Sequence, residues 1–378
     1  MSPLSDALLS LQDHAQSIRK RAAQYDQLGE IAQPTLDFLR HEGILSLAVP
    51  QEYGGAGIDF QDMTRIIASL AENDPSTALI VAMQYLHCFS IATSPSWPEA
   101  LKEEVLSDIK AHGSLVNALR VEPELGTPSR GGIPATRLSH VNGQWVLSGR
   151  KIFSTGSSAL RWGLVWCATD ENPQRVGQVL VRLDQEAIAV QKSWHHLGMR
   201  ATGSDTIVFN DAPVPERYLA NIVSTEEGNP ETPGLFVWHA LILAHLYNAI
   251  ARSARQWFTS FLQKRVPSGL GRPLATLPRF QTIVGEIDGL LLSNTALLNH
   301  AQTHYEAITL TEASQIKRLV TEQAISAVQR AIEVSGNPGL SQDNPLERHY
   351  RDVLCGRIHS PQADTVLEKA GFNALFPS

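Results

Sequence analysis

The stretch from Asn344 to Gln362 reads NPLERHYRDVLCGRIHSPQ, and the rest of the chain is interpreted around it. Its first charged residues, which carry both signs, are Glu347, Arg348, Arg351 and Asp352. They run into an alternation of apolar and basic residues that stops at Pro361, and helices end at or before the residue that precedes a proline. The pattern predicts a helix that ends one residue before Pro361 and places His359 and Ser360 in the wall of a pocket. An ordinary surface helix with a proline stop is the alternative interpretation.

The composition predicts a multidomain, oligomeric protein without a nucleic-acid partner. A chain of 378 residues with 43% hydrophobic content exceeds what one core usually organises, so two or three domains are expected. Charged residues make up 18%, below the roughly 25% of typical soluble proteins, which suggests that partner subunits cover part of the surface. The formal net charge of -7 and the lack of a basic block give no electrostatic footprint for DNA or RNA.

The cysteines and the apolar segments favour a cytoplasmic protein. Cys88, Cys167 and Cys355 lie far apart with no paired spacing, so the sequence indicates neither a disulfide framework nor a zinc site. The N-terminus has no basic stretch followed by an apolar run, and polar residues interrupt the most apolar segment, residues 235–251. We therefore expect neither a signal peptide nor a membrane span.

Two adjacent histidines, His195 and His196, could suggest a metal site. A structural zinc site takes four ligands, and no third ligand stands at a suitable spacing from this pair. We interpret the two residues as ordinary surface or core histidines and predict no bound metal.

Hydrophobic periodicity divides the chain into three predicted domains. Residues 1–113 carry apolar residues at helical spacing, interrupted by the breaker run Pro50–Gly57. Residues 114–228 change to short alternating runs separated by turn residues, which predicts a small antiparallel β-domain. Residues 229–378 return to long helical patterns, with one predicted loop near Gly269 and another at Gly336–Gly339.

Several of these stretches resemble one family, the flavoenzymes of the acyl-CoA dehydrogenase fold. The family pattern P-x-E-R-x-x-R-D matches at Pro345, Glu347, Arg348, Arg351 and Asp352. The stretch VPQEYGGAG, which starts at Val49, resembles the family signature V-P-x-x-Y-G-G-x-G. The resemblance covers nearly the whole chain. It implies an α+β fold with an N-terminal helical domain, a central antiparallel β-barrel-like domain and a C-terminal four-helix bundle.

The family's catalytic base is missing from the positions where the resemblance implies it. In the dehydrogenases the C-terminal loop resembles Ile-Tyr-Glu-Gly-Thr, and here Ser360 stands where the glutamate should be. A serine hydroxyl cannot hold an α-proton near pH 7 unless another base activates it. Some members carry the base on the first helix of the last domain instead, and this chain has His239 in that stretch and no carboxylate. We interpret His239 as a packing or pocket-lining residue.

A second match concerns the flavin ring. The stretch GRKIFSTGS, Gly149–Ser157, resembles the strand and turn that lie along the ring in the family. The resemblance implies that Phe153 lies near the ring and that the hydroxyls of Ser154 and Thr155 bond its polar edge. Such a ring needs an apolar face and a few donors. Because Ser and Thr also favour turns, simple closure of a hairpin is the alternative role for them.

The phosphate end of the cofactor site resembles the family less closely. By resemblance, the residues that would bind this end of the cofactor are Arg265, Gln281, Gly336 and Asn337. The family turn Q-x-x-G-G-x-G becomes EVSGNPG, in which Glu333 would repel a pyrophosphate and Pro338 removes a backbone donor. An enzyme that holds only FMN, with Arg265 on its single phosphate, would tolerate these losses. FAD remains the alternative cofactor.

With these departures from the dehydrogenase pattern, the chain resembles the two-component flavin monooxygenases of this fold, such as dibenzothiophene monooxygenase and the sulfur-acquisition oxidoreductases. The resemblance implies that reduced FMN from a separate reductase reacts with O2 and oxygenates a small sulfur- or nitrogen-containing or aromatic substrate. We expect His359 to donate to or position the flavin peroxide, Ser154 and Asn117 to support it, and His87 to line the pocket. An acyl-CoA dehydrogenase with a base at an unrecognised position and a degenerate flavin-fold binding protein are the alternatives. The resemblance also implies a homotetramer.

Overall fold

Helices form the first and last parts of the chain, and strands form the middle. The computed structural model describes residues 2–125, 132–219, 221–224 and 234–376. The N-terminal helices are α1 (Pro3–Asp13), α2 (Ala15–Leu28), α3 (Gln33–His41), α4 (Phe60–Ala71), α5 (Pro75–Thr93) and α6 (Glu99–His112). The strands are β1 (Leu115–Leu119), β2 (Arg137–Val141), β3 (Gln144–Ser154), β4 (Leu160–Thr169), β5 (Arg175–Arg182), β6 (Ile188–Gln191), β7 (Asp205–Val214) and β8 (Asn221–Ser224). The C-terminal helices are α7 (Leu235–Lys264), α8 (Pro278–Thr303), α9 (Leu310–Ser335), α10 (Asn337–Leu340), α11 (Leu346–Leu354) and α12 (Ala363–Leu375).

The predicted order of a helical, a sheet and a second helical part is confirmed. Helices give way to strands between His112 and Leu115, close to the predicted change at residue 113. The predicted change between residues 228 and 229 lies outside the described residues. Of the two loops predicted in the last part, the one at Gly336–Gly339 contains the short helix α10.

Helix α5 runs through the interior of the N-terminal part. It begins at Pro75, because proline suits the first helical position and the Asp74 carboxylate accepts a hydrogen bond from the Thr77 backbone N–H at 3.1 Å. Both α5 and α7 are long and apolar enough to cross a membrane, but 67% of the apolar window of each is buried. Such burial is typical of the core helices of a globular protein.

The strands form one twisted sheet in the order β6-β7-β3-β2-β4-β5-β8, and β1 pairs with β4. Asn142 and Gly143, both with positive φ, close the two-residue hairpin between β2 and β3. Most pairings are antiparallel, as predicted, but β1 and β2 both pair with β4 in parallel. The described strands therefore form an open, mixed sheet where the sequence predicted a barrel-like antiparallel one. Parallel pairs need long crossover connections, and alternation within single strands does not reveal them.

The C-terminal part is built on three long helices, α7, α8 and α9, which pack against one another. The shorter α11 and α12 pack on α9. The predicted bundle has four helices, and here two short helices accompany the three long ones. Helix α7 has 30 residues and is therefore about 45 Å long at ~1.5 Å per residue. Its two ends therefore lie in distant parts of the molecule.

Helix α11 ends earlier than the sequence predicts. It stops at Leu354, and a short 3₁₀ turn, Cys355–Arg357, follows it. The prediction of a helix up to the residue before Pro361 was wrong for a tertiary reason. Lys317 on α9 binds the backbone carbonyls of Gly356, His359 and Pro361, and these bonds replace helical ones. A proline stop in the sequence marks only the last residue at which a helix can end.

Candidate active site

A cavity of about 430 Å³ lies where the three parts of the chain meet. Its size falls within the roughly 300–1,000 Å³ of small-molecule sites. The apolar lining residues include Met83, Leu86, Val121, Ile152, Phe153, Leu235, Phe236, Leu310 and Val366. The polar and charged lining residues include His87, Asn117, Arg120, Gln178, His239, Ser314, Ser360 and Lys369. The arrangement suits a ligand with a flat apolar body and a polar edge.

No aspartate or glutamate lines this cavity among the described residues. Ser360, the residue at the position of the missing glutamate, lies in the wall with Pro361 and Gln362. His239, on the first helix of the last part, also lines the cavity. Its packing or pocket-lining interpretation agrees with this position. The described walls therefore offer neutral donors and cations but no carboxylate that could remove an α-proton.

The two lining histidines are neutral. Burial lowers the pKa of His87 to about 3 and that of His239 to about 4, and nearby positive charge, including that of Arg120, acts in the same direction. The side chain of Asn117 hydrogen bonds to His87, and the His87 Nδ1 has no hydrogen-bond partner among the described residues.

His359 directly precedes the lining residue Ser360 and is itself half-buried. Its Nδ1 is 2.5 Å from the hydroxyl of Tyr247 on α7, and the two rings are 5.7 Å apart. Burial lowers the pKa of His359 to about 3, and the positive charge of Lys317 acts in the same direction. The imidazole is therefore neutral at ordinary pH and retains one N–H donor. Burial holds the pKa of Tyr247 well above its usual range, so its hydroxyl stays protonated.

Lys317 holds the segment that carries His359 and Ser360. Its Nζ donates to the carbonyl oxygens of Gly356 and His359 at 2.6 Å and to that of Pro361 at 3.2 Å. The side chain is only 2% exposed, and burial lowers its pKa to about 8. Gly356 fits between Thr321 and Tyr247, where an added Cβ would lie 2.7 Å from a Thr321 methyl carbon. This packing and the three hydrogen bonds hold residues 356–361 in a single backbone conformation.

Of the three residues predicted at the flavin ring, Phe153 lines the cavity, and Ser154 and Thr155 are not among its lining residues. Phe153 lines it, is half-exposed and has a φ of 56°, a conformation that non-glycine residues rarely adopt. Its ring makes edge contacts with Trp194 and His196. Ser154 is buried behind the wall, and Thr155 shares a hydrogen bond of 3.0 Å with Ser204. The backbone conformation thus places the aromatic ring at the cavity and the two hydroxyls beyond it.

Asn117 ties this turn to the cavity wall. Its amide nitrogen donates to the Thr155 carbonyl oxygen at 2.9 Å, and its amide oxygen accepts from the Ala118 N–H at 2.7 Å. The adjacent strand is held by a buried ion pair of 2.6 Å between Lys151 and Glu122. Burial alone would raise the pKa of Glu122, but hydrogen bonds from Lys151 and Thr136 outweigh it and lower the pKa. These bonds fix the aromatic side of the site.

The residues predicted for the phosphate end lie at the other end of the helical bundle. Arg265 and Gln281 stand at the end of α7 and the start of α8, and Gly336 and Asn337 follow α9. His239 and Lys264 are 25 positions apart on α7, which corresponds to about 38 Å. One chain therefore does not bring these residues to its own cavity. Gln281 donates to the Ala275 carbonyl oxygen at 3.1 Å, and Glu333 accepts from Gln329 at 3.0 Å.

The sequence reasoning missed Lys317, Tyr247, Arg120 and Gln178. Lys317 had a detectable signal, because it occupies the apolar stripe of α9 between Ala313 and Val320, which are fully buried. A lysine at such a position must find acceptors inside the protein. Tyr247 lies 112 positions from His359, and nothing local in the sequence links the two.

Acid should destabilise the protein through its buried histidines. Burial lowers the pKa from 6.5 to about 3 or 4 for His87, His239, His245, His349 and His359. The unfolded chain therefore binds more protons between about pH 4 and 6.5, and the free energy of unfolding should rise with pH across that window. Asp352 opposes this trend, because burial and the charge of Asp26 raise its pKa to about 7.

His245 does not line the cavity, so replacing it tests the effect of one buried histidine on stability without changing the active site. His245→Gln should make the dependence of unfolding free energy on pH shallower by about 1.4 kcal/mol per pH unit between pH 4 and 6.5. Urea unfolding at a series of pH values measures this slope. Equal slopes for the wild-type protein and the variant would contradict the neutral, buried state of His245.

Three family models match successive parts of the chain. The acyl-CoA dehydrogenase N-terminal domain matches residues 13–111, the middle domain 121–212 and the C-terminal domain 242–362. A putative acyl-CoA dehydrogenase, YdbM of Bacillus subtilis (strain 168), is 30% identical over 366 residues, which cover 96% of this chain and 94% of that protein. The resemblance noted in the sequence is therefore confirmed along nearly the whole chain.

Solved structures of different activities share the fold. Butyryl-CoA dehydrogenase from Megasphaera elsdenii has a TM-score of 0.85 at 20% identity and covers 100% of this chain and 99% of its own. KijD3 in complex with FMN and a dTDP-linked glucose derivative gives 0.84 at 24%, with 99% and 94% covered. Methanesulfinate monooxygenase MsuC from Pseudomonas fluorescens gives 0.79 at 21%, with 100% and 98% covered. At these identities the likeness establishes the fold alone.

Proposed function

This chain belongs to the acyl-CoA dehydrogenase family of flavin-dependent oxidoreductases, and within that family we propose that it is a two-component monooxygenase. It would take reduced flavin from a separate reductase and use O2 to oxygenate a small sulfur- or nitrogen-containing or aromatic substrate. The observation that carries this proposal is a cavity whose described walls contain no carboxylate. Desaturation of an acyl thioester needs a base that takes the α-proton, whereas oxygenation does not.

The residues of the cavity fit a flavin ring. Phe153 and the aliphatic lining supply an apolar face, and the polar lining residues Asn117, Gln178 and Ser314 supply hydrogen-bonding groups. When bound, a reduced flavin supplies two electrons for the reduction of O2, so that one oxygen atom enters the substrate and the other leaves as water. The protein must orient the substrate in the cavity and exclude bulk water during this reaction.

We assign His359 the role of donor at the oxygen-reacting side of the cavity. If the Tyr247 hydroxyl donates to Nδ1 of His359, the single proton of the neutral ring is on Nε2. A fixed N–H donor in a partly desolvated site stabilises charge that develops on oxygen during the reaction. Tyr247 is in this account a positioning residue, because it acts on the reacting atoms only through His359.

FMN is the cofactor that the phosphate-end residues favour. Glu333 beside the turn after α9 disfavours a second phosphate, and Pro338 lacks a backbone donor. Because Arg265 follows α7, about 38 Å along that helix from His239 in the cavity wall, it would reach a flavin in the cavity only from another copy of the chain. Exposed apolar residues on α12, such as Leu367 and Phe372, favour such association. A homotetramer is the assembly that we propose.

The main alternative is an acyl-CoA dehydrogenase with a base at an unrecognised position, and the identity with YdbM favours it. We expect acyl-CoA thioesters, added anaerobically to protein reconstituted with FAD, to leave the oxidised flavin absorbance unchanged. The reason is that no described cavity residue can take the α-proton. Absorbance spectra over a series of acyl chain lengths provide the measurement.

The same preparation tests the proposal directly. With reduced FMN and ¹⁸O2, a panel of sulfinates, thioethers, amines and heteroaromatic compounds should yield at least one product that carries one heavy oxygen atom. Bleaching of the flavin by an acyl-CoA would establish the dehydrogenase instead. Failure of both assays would leave the chain as a flavin-fold binding protein.

A further inference from the structure

Two aromatic side chains, those of Trp194 and His196, contact Phe153 without belonging to the described residues that line the active-site cavity. The Phe153 ring lies 6.1 Å from that of Trp194 and 5.8 Å from that of His196, measured between ring centres, and meets both nearly edge-on. Trp194 and His196 also stack on each other, with ring centres 3.5 Å apart. Edge-on contacts of this length between aromatic rings are favourable. The Trp194–His196 pair therefore supports the Phe153 ring from outside the cavity lining.

Phe153 has an unusual backbone conformation that its neighbours must maintain. Its φ of 56° lies in the left-handed region, which bulky residues rarely adopt. It also lies in a β-bulge, because between Lys151 and Ser154 strand β3 has one residue more than the facing part of β7. Bulges re-aim side chains near active sites, and a strained conformation persists only where surrounding contacts hold it. The ring lines the cavity and is 51% exposed, so much of its surface is open to a ligand.

Hydrogen bonds fix Trp194 at its backbone and at its indole ring. The backbone N–H donates to the Asp205 carboxylate at 2.9 Å, and the indole Nε1 donates to the Met199 carbonyl oxygen at 2.9 Å. The backbone N–H of Met199 in turn donates to the Asp352 carboxylate on α11 at 2.6 Å. Trp194 therefore has a fixed position, and it fixes the ring that packs on it.

The charged motif on α11 holds the same segment through two further contacts. Arg351 donates to the Leu197 carbonyl oxygen at 3.0 Å. Gly198 packs directly on the Arg351 backbone, where an added Cβ would lie 2.1 Å from the carbonyl oxygen. With the bond to Asp352, these contacts clamp residues 197–199 onto α11. The family motif P-x-E-R-x-x-R-D is thereby connected to the aromatic side of the cavity.

We propose that Trp194 and His196 are positioning residues for the flavin, because they hold the Phe153 ring in the orientation that the flavin ring packs against. The inference rests on the part of the proposed function that places a flavin in the cavity, and not on the reaction that follows. Both residues act on the flavin only through Phe153. Without them, Phe153 should return to an ordinary extended conformation, which moves its ring away from the cavity.

Flavin titration of the apoprotein tests this role, with the flavin, FMN or FAD, that the wild-type protein binds more tightly. Trp194→Leu should weaken binding about tenfold, and Phe153→Leu by a similar factor. Trp194→Phe keeps an aromatic ring and loses only the hydrogen bond to Met199, so it should restore most of the affinity. Trp145→Leu is the matched control, because Trp145 is a half-buried tryptophan at the other end of β3 that contacts His140 edge-on. Its affinity should equal that of the wild-type protein.

A double variant separates positioning from a general effect on the fold. If Trp194 acts through Phe153, adding Trp194→Leu to Phe153→Leu should weaken flavin binding no further than Phe153→Leu alone. A purely structural role would give losses that multiply. His196→Ala should cause a smaller loss that is likewise absent in the Phe153→Leu background. If Trp194→Leu fails to fold, as urea unfolding would show, the His196→Ala pair of measurements decides the question.

The spectrum of the bound flavin gives a readout that does not depend on activity. Visible circular dichroism reports how the flavin ring is packed, and it should change in Trp194→Leu but not in Trp145→Leu. Wild-type affinity in Trp194→Leu, or losses that multiply in the double variant, would overturn this inference and leave the proposed function intact. A wild-type protein that binds neither FMN nor FAD would overturn both.

Discussion

Replacing Lys317 with methionine should lower the free energy of unfolding by about 3 kcal/mol and abolish most of the oxygenation activity. The ammonium group binds three carbonyl oxygens of the segment from Gly356 to Pro361, two of them at 2.6 Å. Methionine has a similar length but no donor, so these carbonyls lose their partner inside the protein. The segment that carries His359 and Ser360 should then take several conformations.

The activity and stability of this variant are measured by product formation and by urea unfolding. Lys110→Met is the matched control, because Lys110 is an exposed lysine on α6, and a surface substitution changes stability by roughly 0.5 kcal/mol or less. Hydrogen exchange adds a readout that global destabilisation does not mimic. It should show faster exchange in residues 355–362 than in the sheet. Wild-type stability and activity in Lys317→Met would refute the positioning role.

Replacing His359 with alanine should reduce the rate of substrate oxygenation about a hundredfold, the magnitude typical of losing one donor at a reacting oxygen. Flavin binding should stay unchanged, because His359 is not among the residues that line the cavity and those residues all remain. Electrons from the reduced flavin should then leave as hydrogen peroxide, which a coupled peroxidase assay measures. The ratio of product to peroxide is the decisive quantity.

Two further variants define the role of His359. Tyr247→Phe removes the hydroxyl that fixes the ring and should cause a smaller loss of the same kind. His195→Ala removes an exposed histidine beside β7 and should leave the product ratio unchanged. An unchanged product ratio in His359→Ala would remove this residue from the mechanism. The function of the cavity would then have to rest on His87 and Asn117.

The sequence reveals the parts of this molecule that local patterns control. The Asp74–Pro75 start of α5, the Asn142–Gly143 hairpin and the strands β3 and β7 follow from capping, turn chemistry and alternation. Phe153 lines the cavity, and its place beside a flavin ring, which rests on the family resemblance, stays a prediction.

What the sequence does not reveal depends on contacts between distant residues. The early end of α11 requires Lys317, which lies 39 positions before the Gly356 whose carbonyl it binds. The parallel pairing of β1 with β4 and the hydrogen bond between Tyr247 and His359 likewise join segments that no local pattern connects. The phosphate-end residues illustrate a further limit, because the sequence does not show that one chain keeps them away from its own cavity.

The most direct test of the proposed function follows the reaction of oxygen with the reduced flavin on the protein. Purified protein is mixed anaerobically with reduced FMN, oxygen is added by stopped flow, and absorbance is recorded until the flavin is fully oxidised. We predict a long-lived transient spectrum that differs from those of both reduced and oxidised FMN and decays faster when a substrate is present. Immediate reoxidation without a transient, together with bleaching of the FAD-loaded protein by an acyl-CoA, would contradict the account and indicate a dehydrogenase with a hidden base.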